Sequence, residues 1–412
     1  MKKYFSLLLA VTICLGMSTS AFAGVEDAYF FGGEDRDEHI YTEQEMESVS
    51  SWISKIGFDD YIYLNPTRSK YSQSRLNSGF VYIAGHGNFT RIGTGEGSGI
   101  CIDGTSGYRD IRNYDFDDAQ CVILSACATA NPEFAEHALG NVIADNGAQY
   151  VLGWRVNVDD GSVAVFNEEF ARQLYRGKTF MNAYITAKKN VIDEWRQIKS
   201  DSDVFKTYML GNINATLDEP YSSRSAKRVS SNFSVSVDDF LDERFDEYIV
   251  ESSIRTDSGN YEDLESYVIE NIDSKFNLED YVIRVDNMTD NVDLIEFKYL
   301  YNGMETNYGF TVICIDGYAK LVTLTKSHND IDIESLGTKR TLSQDQFDDE
   351  MLYKDDGMLY EMAIEKDGFQ KYTVDEQSVD KYFDVYSSKV VSVVKTVYID
   401  DEGLYFSTSQ SF

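Results

Sequence analysis

Hydrophobic and polar positions follow two periods along the first half of the chain, one typical of strands and one typical of helices. After Thr42, apolar residues recur at helical spacing, with Glu45 three residues on as in a capping box. Apolar runs of strand length occur at residues 28–31, 61–64, 80–84, 121–126 and 149–154. This alternation predicts an α/β fold with a mostly parallel sheet covered by helices on both faces.

The second half of the chain has a different pattern, in which turn dipeptides separate longer strand-like runs. Asn302-Gly303 and Asp316-Gly317 are typical of β-hairpin turns, and Asp367-Gly368 and Glu402-Gly403 are of the same kind. The runs that they separate include residues 294–301, 306–315 and 319–324, and one helix is expected near residues 264–272. We therefore predict a separate α+β or mostly antiparallel β domain here.

Two shifts of composition divide the chain. Lys2 and Lys3, an apolar run and Ala21-Phe22-Ala23 have the order of a secretory signal peptide over residues 1–23, which predicts export. Residues 221–234 are rich in Ser, Arg and Lys, which is a linker composition. The predicted organisation is a signal peptide at 1–23, an α/β domain at 24–220, a linker at 221–234 and an acidic domain at 235–412.

Charge and cysteine content exclude several classes of protein. The net charge of −33 disfavours binding to nucleic acid or anionic membranes, and no later apolar run is long enough to span a membrane. Four cysteines remain after loss of the signal peptide, which is too few for a disulfide-built scaffold. They are Cys101, Cys121, Cys127 and Cys314, and no two have zinc-site spacing.

The acidic loops do not predict a cofactor. Asp115-x-Asp117-Asp118 and the segment at residues 157–161 carry oxygen ligands, but neither completes a calcium loop with its distal Glu. We predict no metal and no cofactor, and calcium stays possible but unsupported. The Gly-rich segment at residues 93–99 lacks the spacing of a phosphate-binding loop. A flap or hairpin at the mouth of a site is the better interpretation of that segment.

Two of the apolar runs end at a reactive side chain. The run from Tyr82 ends at His86-Gly87, and the run from Val122 ends at Cys127. If these strands are parallel neighbours, the imidazole and the thiol meet at the rim where open α/β sheets carry their sites. A thiol beside an imidazole can form a nucleophilic thiolate. The alternative is a structural pair, because a buried cysteine is usually an inert small hydrophobe.

These motifs resemble those of the caspase-like (clan CD) cysteine peptidases, and among them the CHAT domains related to separase, clostripain and gingipain. Leu124-Ser125-Ala126-Cys127 is similar to the nucleophile strand, and residues 150–160 are similar to the next strand with its Asp-Asp turn. The resemblance extends over residues 28–200. It fails at Ala128-Thr129-Ala130, where CHAT domains usually read Glu-Thr-Gly.

The resemblance implies a secreted cysteine endopeptidase. Cys127 would be the nucleophile and His86 the general base and acid, and the backbone N–H groups of Gly87 and Cys127 would hold the oxyanion. Trp154 and Asp159 would line the S1 pocket, where a carboxylate favours Arg or Lys at P1. The alternative is that Asp159 or Asp160 caps the following helix.

The expected partner is a protein or peptide substrate. A preference for basic residues would make Arg224, Lys227 and Arg228 a self-processing site, and an uncut linker is the alternative. The C-terminal domain would either bind an unknown partner or inhibit the peptidase. A catalytically silent caspase-like scaffold with a binding C-terminal domain is the alternative function. A serine hydrolase is disfavoured because the chain has no G-x-S-x-G motif.

Overall fold

A computed structural model of the chain places most of the residues that matter for the predicted site. It describes residues 26–35, 40–95, 97–130, 138–194, 207–211, 215–217, 246–250, 253–256, 259, 261–289, 292–301, 303–324, 359, 361–363, 372–385 and 389–412. The predicted signal peptide and linker lie outside these residues, and so do Arg224, Lys227, Arg228 and the Asp367-Gly368 turn.

Strands and helices alternate through the first half of the described chain, as the hydrophobic periodicity predicts. In chain order they are β1 (Asp27–Gly32), β2 (Glu34–Asp35), β3 (Ile40–Tyr41), α1 (Thr42–Ile56), β4 (Asp59–Leu64), α2 (Gln73–Leu76), β5 (Phe80–Ala84), β6 (His86–Asn88), β7 (Arg91–Gly93), β8 (Gly99–Cys101), β9 (Arg109–Asp110), β10 (Cys121–Ser125), α3 (Leu139–Asp145), β11 (Tyr150–Trp154), α4 (Asp160–Tyr175), α5 (Phe180–Glu194) and β12 (Thr207–Gly211).

The first sheet has the strand order β12-β11-β10-β5-β1-β4. All of its pairs are parallel except β11 with β12. Every residue of β5, β10 and β11 is buried, as expected for strands covered on both faces. Apolar residues of α1, α4 and α5 pack on one face, and those of α2 and α3 pack on the other. The predicted parallel sheet between helical layers is confirmed.

The second half supplies mainly antiparallel strands. They are β13 (Asp246–Ile249), β14 (Tyr281–Thr289), β15 (Val292–Tyr301), β16 (Met304–Ile315), β17 (Tyr318–Leu324), β18 (Thr373–Asp384), β19 (Lys389–Ile399) and β20 (Tyr405–Ser411), with α6 (Glu262–Asn271) after β13. The predicted hairpin at Asp316-Gly317 joins β16 to β17, and Glu402-Gly403 lies in the turn between β19 and β20. An α+β or mostly antiparallel β domain was predicted here, and a second, mainly antiparallel sheet is confirmed.

The Gly-rich excursion between β5 and β10 forms antiparallel pairs of β6 with β7 and β7 with β8, which confirms the predicted hairpin. This hairpin belongs to the second sheet, because β20 pairs with β6 through Tyr405 and Gly87. Residues of β15, β16 and β17 also join the apolar cluster that contains α5. The two halves therefore pack against each other. No helix in the described ranges is both long enough and apolar enough to cross a membrane.

Candidate active site

Two neighbouring parallel strands bring His86 and Cys127 to one edge of the first sheet. β5 and β10 pair in register up to Ala84 and Ser125, so their carboxyl ends lie side by side. His86 begins β6 two residues after the end of β5, and Cys127 lies two residues after the end of β10. Both residues line one cavity of about 350 Å³. This is the rim at which open α/β sheets bind their ligands.

The Cys127 side chain is almost enclosed, with 2% of its surface exposed. The backbone N–H of Val158 donates to its Sγ atom at 3.3 Å. The next residue, Ala128, has φ +55°, a left-handed conformation that costs energy for any residue with a side chain. Such strain is common at functional turns. Thr129 ties this turn to β11, because its hydroxyl accepts the N–H of Trp154 at 3.3 Å.

His86 is half-buried and contacts two aromatic residues from the far end of the chain. The hydroxyl of Tyr372 lies 3.3 Å from its Nε2 atom. The ring of Phe406 packs with its centroid 4.5 Å from the imidazole centroid. Neither contact has a signal in the sequence, because neither aromatic residue stands near a recognisable motif.

Gly87 lies against the backbone of the predicted nucleophile. A Cβ atom at this position would come within 2.7 Å of the Ala126 Cβ and within 2.9 Å of the Cys127 carbonyl oxygen. Only glycine therefore lets β6 approach the turn after β10 so closely. The close approach places the backbone of Gly87 beside that of Cys127. The oxyanion role of these two N–H groups stays a prediction.

Glu45 is a cavity residue that the sequence suggested only as a helix cap. Its Oε1 atom accepts hydrogen bonds from Ser125 Oγ at 2.7 Å, from Asn167 Nδ2 at 2.9 Å and from the Tyr82 hydroxyl. Besides these three donors, the Thr42 hydroxyl donates to the Gly33 carbonyl, and the capping box of Thr42 and Glu45 stays a prediction. Burial raises the pKa of Glu45, although the three donors oppose that rise.

The charged groups of the cavity are mainly acidic. Glu45 and the exposed Glu168 both line it, and among the described residues no lysine or arginine does. The three hydrogen bonds to Glu45 are all accepted by Oε1, and Glu45 is one of the residues that line the cavity. The cavity is therefore suited to a cationic group.

Trp154 and Asp159, the two residues predicted for substrate contact, do not line this cavity as far as the described residues define it. Trp154 is fully buried at the end of β11. Asp159 is the N-cap of α4 and accepts the Ser162 N–H at 3.0 Å. Burial raises its pKa, although Ser162, Ser409 and Lys395 oppose the rise. The capping alternative accounts for Asp159, and its role in substrate contact has no geometric support.

We expect Asp159→Ala to destabilise the protein by about 0.5–2 kcal/mol, because the cap of α4 is lost. Asp159→Asn should lose much less, since its side-chain oxygen can still accept the Ser162 N–H. Urea unfolding of the three proteins measures this difference. Equal stability of the alanine and asparagine variants would contradict a capping role.

Metal ligands do not cluster anywhere in the described ranges. No three His, Cys, Asp or Glu side chains there come together in a way that could hold a metal ion. The predicted absence of a cofactor remains a prediction.

Comparison with known proteins finds a family match for the first half of the chain. Residues 25–222 match the sequence model of the CHAT domain family. Among solved structures, the crystal structure of the Arg-specific cysteine proteinase gingipain R (RgpB) is similar, with 12% sequence identity and a TM-score of 0.38. The match covers 74% of this chain and 60% of the gingipain chain. The complex of RgpB pro- and mature domains from Porphyromonas gingivalis is also similar, with 11% sequence identity and a TM-score of 0.38. That match covers 74% of this chain and 63% of the other.

The chain thus spans less than two thirds of either solved structure, and those alignments are too distant to carry an argument about activity. No curated protein sequence matches the chain. The family match agrees with the resemblance seen in residues 28–200 and with the parallel sheet that carries His86 and Cys127. Residues 25–222, nearly half of this chain, therefore match the CHAT domain family, and they contain the parallel sheet that carries His86 and Cys127.

Proposed function

We propose that the chain is a secreted cysteine endopeptidase with Cys127 as nucleophile and His86 as general base and acid. One observation carries this proposal: the thiol and the imidazole follow neighbouring parallel strands and line the same cavity. The match to the CHAT domain family supports it. The proposal of secretion rests on the signal-peptide pattern of residues 1–23, which lie outside the described residues.

In the proposed reaction His86 takes the proton of the Cys127 thiol. The thiolate attacks the carbonyl carbon of the scissile peptide bond, and the backbone N–H groups of Gly87 and Cys127 stabilise the resulting oxyanion. His86 then protonates the leaving amine as the C–N bond breaks, which leaves an acyl-enzyme. Water attacks the thioester, His86 accepts its proton, and the carboxylic acid product and free thiol are released.

We also propose that the enzyme prefers Arg or Lys at P1, with Glu45 as the group that binds the cation. The carboxylate is held by three donors on one oxygen, and Glu45 lines the same cavity as His86 and Cys127. A fixed carboxylate loses little entropy when it binds a guanidinium or ammonium group. The proposed substrate is a protein or a peptide. If the enzyme cleaves after basic residues, Arg224, Lys227 and Arg228 are candidate positions for self-processing.

An irreversible peptidyl probe with Arg at P1 tests the catalytic assignment. We expect the mature protein to be labelled on Cys127 and Cys127→Ala to stay unlabelled. Incubation should be long, because a covalent probe accumulates even when the reactive conformation is rarely populated. Intact-mass and peptide mass spectrometry measure the extent and site of labelling.

Cys121→Ala is the matched control, since Cys121 lies six positions earlier on the same segment and is fully buried. Burial raises the pKa of the Cys121 thiol well above its ordinary value, and it also raises the pKa of Cys101. It raises the pKa of Cys314 to about 11. These thiols should not react. Labelling that persists in Cys127→Ala, or no labelling of any form, would favour the silent scaffold.

A further inference from the structure

The C-terminal hairpin, defined here as β19, β20 and the turn between them, lies directly on the candidate active site. β20 pairs with β6 through Tyr405 and Gly87, next to His86. Its turn is held to the segment after His86 by two hydrogen bonds to backbone carbonyls. Asn88 Nδ2 donates to Gly403 O at 2.9 Å, and Arg91 donates to Glu402 O at 2.7 Å.

The same hairpin also holds the segment that covers Cys127. Ser407 Oγ donates to the carbonyl oxygen of Val158 at 2.6 Å, and Lys395 Nζ donates to that of Asn157 at 2.9 Å. Ser407 and Asp159 form a parallel β-bridge. The N–H of Val158 in turn donates to the Cys127 thiol, which is almost fully enclosed.

Two adjacent residues of β20 therefore contact His86 and the segment that bonds the Cys127 thiol. Phe406 packs on the His86 ring, and Ser407 fixes the Val158 segment over the Cys127 thiol. β20 pairs with β19 along one edge, and along its other edge it pairs first with Gly87 of β6 and then with Asp159. An extended peptide recognised by main-chain pairing beside the dyad would compete for this same space.

We infer that the C-terminal hairpin keeps the CHAT domain latent by occupying the strand position that an extended substrate needs. This inference rests on the proposed function, and it adds a regulatory step to it. Activation requires β20 to leave His86 and the Val158 segment, after which the thiol is exposed and a substrate strand takes its place.

The hairpin can open without release of the whole C-terminal half. Lys188 and Lys189 of α5 form ion pairs with Asp286 of β14 and Glu247 of β13, in which both lysines and Glu247 are buried and Asp286 is partly exposed. Breaking buried pairs of this kind is strongly unfavourable. These contacts lie on strands other than β19 and β20, so opening of the hairpin, which must also break the pairing of β19 with β18, leaves them intact.

Full-length Phe406→Ser/Ser407→Gly tests the inference, since it removes both contacts and leaves the chain intact. We expect the rate of Cys127 alkylation by iodoacetamide, and the rate of Arg-peptide hydrolysis, to rise at least tenfold. Phe383→Ser is the matched control, because Phe383 is a buried aromatic residue of the second sheet that packs on Tyr301 instead of His86. Its two rates should equal those of the wild type.

Ser407→Ala is a milder variant, which tests the inference even if the double variant does not fold. It removes one hydrogen bond, and we expect both rates to rise by about fivefold. Unchanged or slower alkylation in both Ser407→Ala and the double variant, with native circular dichroism, would overturn the inference. Faster alkylation without peptide hydrolysis would support the hairpin as a cover and would instead count against the proposed peptidase function. The two proposals can therefore fail separately.

Discussion

His86→Ala is expected to lower kcat for peptide hydrolysis by about 10³-fold, within the usual range for loss of a general acid–base group. KM should change little, because the imidazole acts on the reacting bond. Without His86 the thiolate forms only by ionisation to bulk water, so the residual rate should rise steadily with pH. Rates across pH 5–9 measure this change, in the wild-type background and in Phe406→Ser/Ser407→Gly.

Added imidazole provides the control for this variant. It should restore part of the kcat of His86→Ala and have no effect on Cys127→Ala, because a free base can replace a missing base and cannot replace a missing nucleophile. A merely structural role for His86 predicts no such rescue. Full activity of His86→Ala would remove the residue from the mechanism.

The fold of the first half could be predicted from the sequence, because the hydrophobic pattern of each segment agrees with the contacts that the segment makes in the structure. The apolar runs at residues 80–84 and 121–126 match β5 and β10 almost residue for residue, since strands buried on both faces must be apolar throughout. The same logic placed His86 and Cys127 at one rim. In the second half, Asp316-Gly317 marked its hairpin because such turns require φ > 0, which both residues have.

The remainder of the site could not be predicted, because it depends on contacts between distant segments. Glu45 follows Thr42 at cap spacing, and no local pattern distinguishes a capping carboxylate from one held by Tyr82 and Ser125. The covering of His86 by Phe406 joins positions that are far apart in the chain. Sequence periodicity reports which face of an element is buried, and it does not report what buries it.

Glu45→Gln is expected to lower kcat/KM for peptides with Arg at P1 by about 30-fold or more, the usual cost of losing one partner of a desolvated charge pair. Glutamine keeps an oxygen that can accept the Ser125 and Asn167 hydrogen bonds, so the fold should be unaffected. Peptides with neutral norleucine at P1 should be cleaved as well as before. The ratio of the two kcat/KM values therefore isolates the charge.

The pH dependence of this ratio makes the test more specific to Glu45. Burial raises the pKa of the carboxyl above its ordinary 4.5, so the group becomes protonated and neutral as the pH falls through that raised pKa. Preference for Arg over norleucine should be lost over that interval in the wild type, and Glu45→Gln should show no such transition. Glu47→Gln, an exposed position on the same helix α1, should behave as the wild type. A preference for Arg that survives in Glu45→Gln would assign P1 recognition to another group.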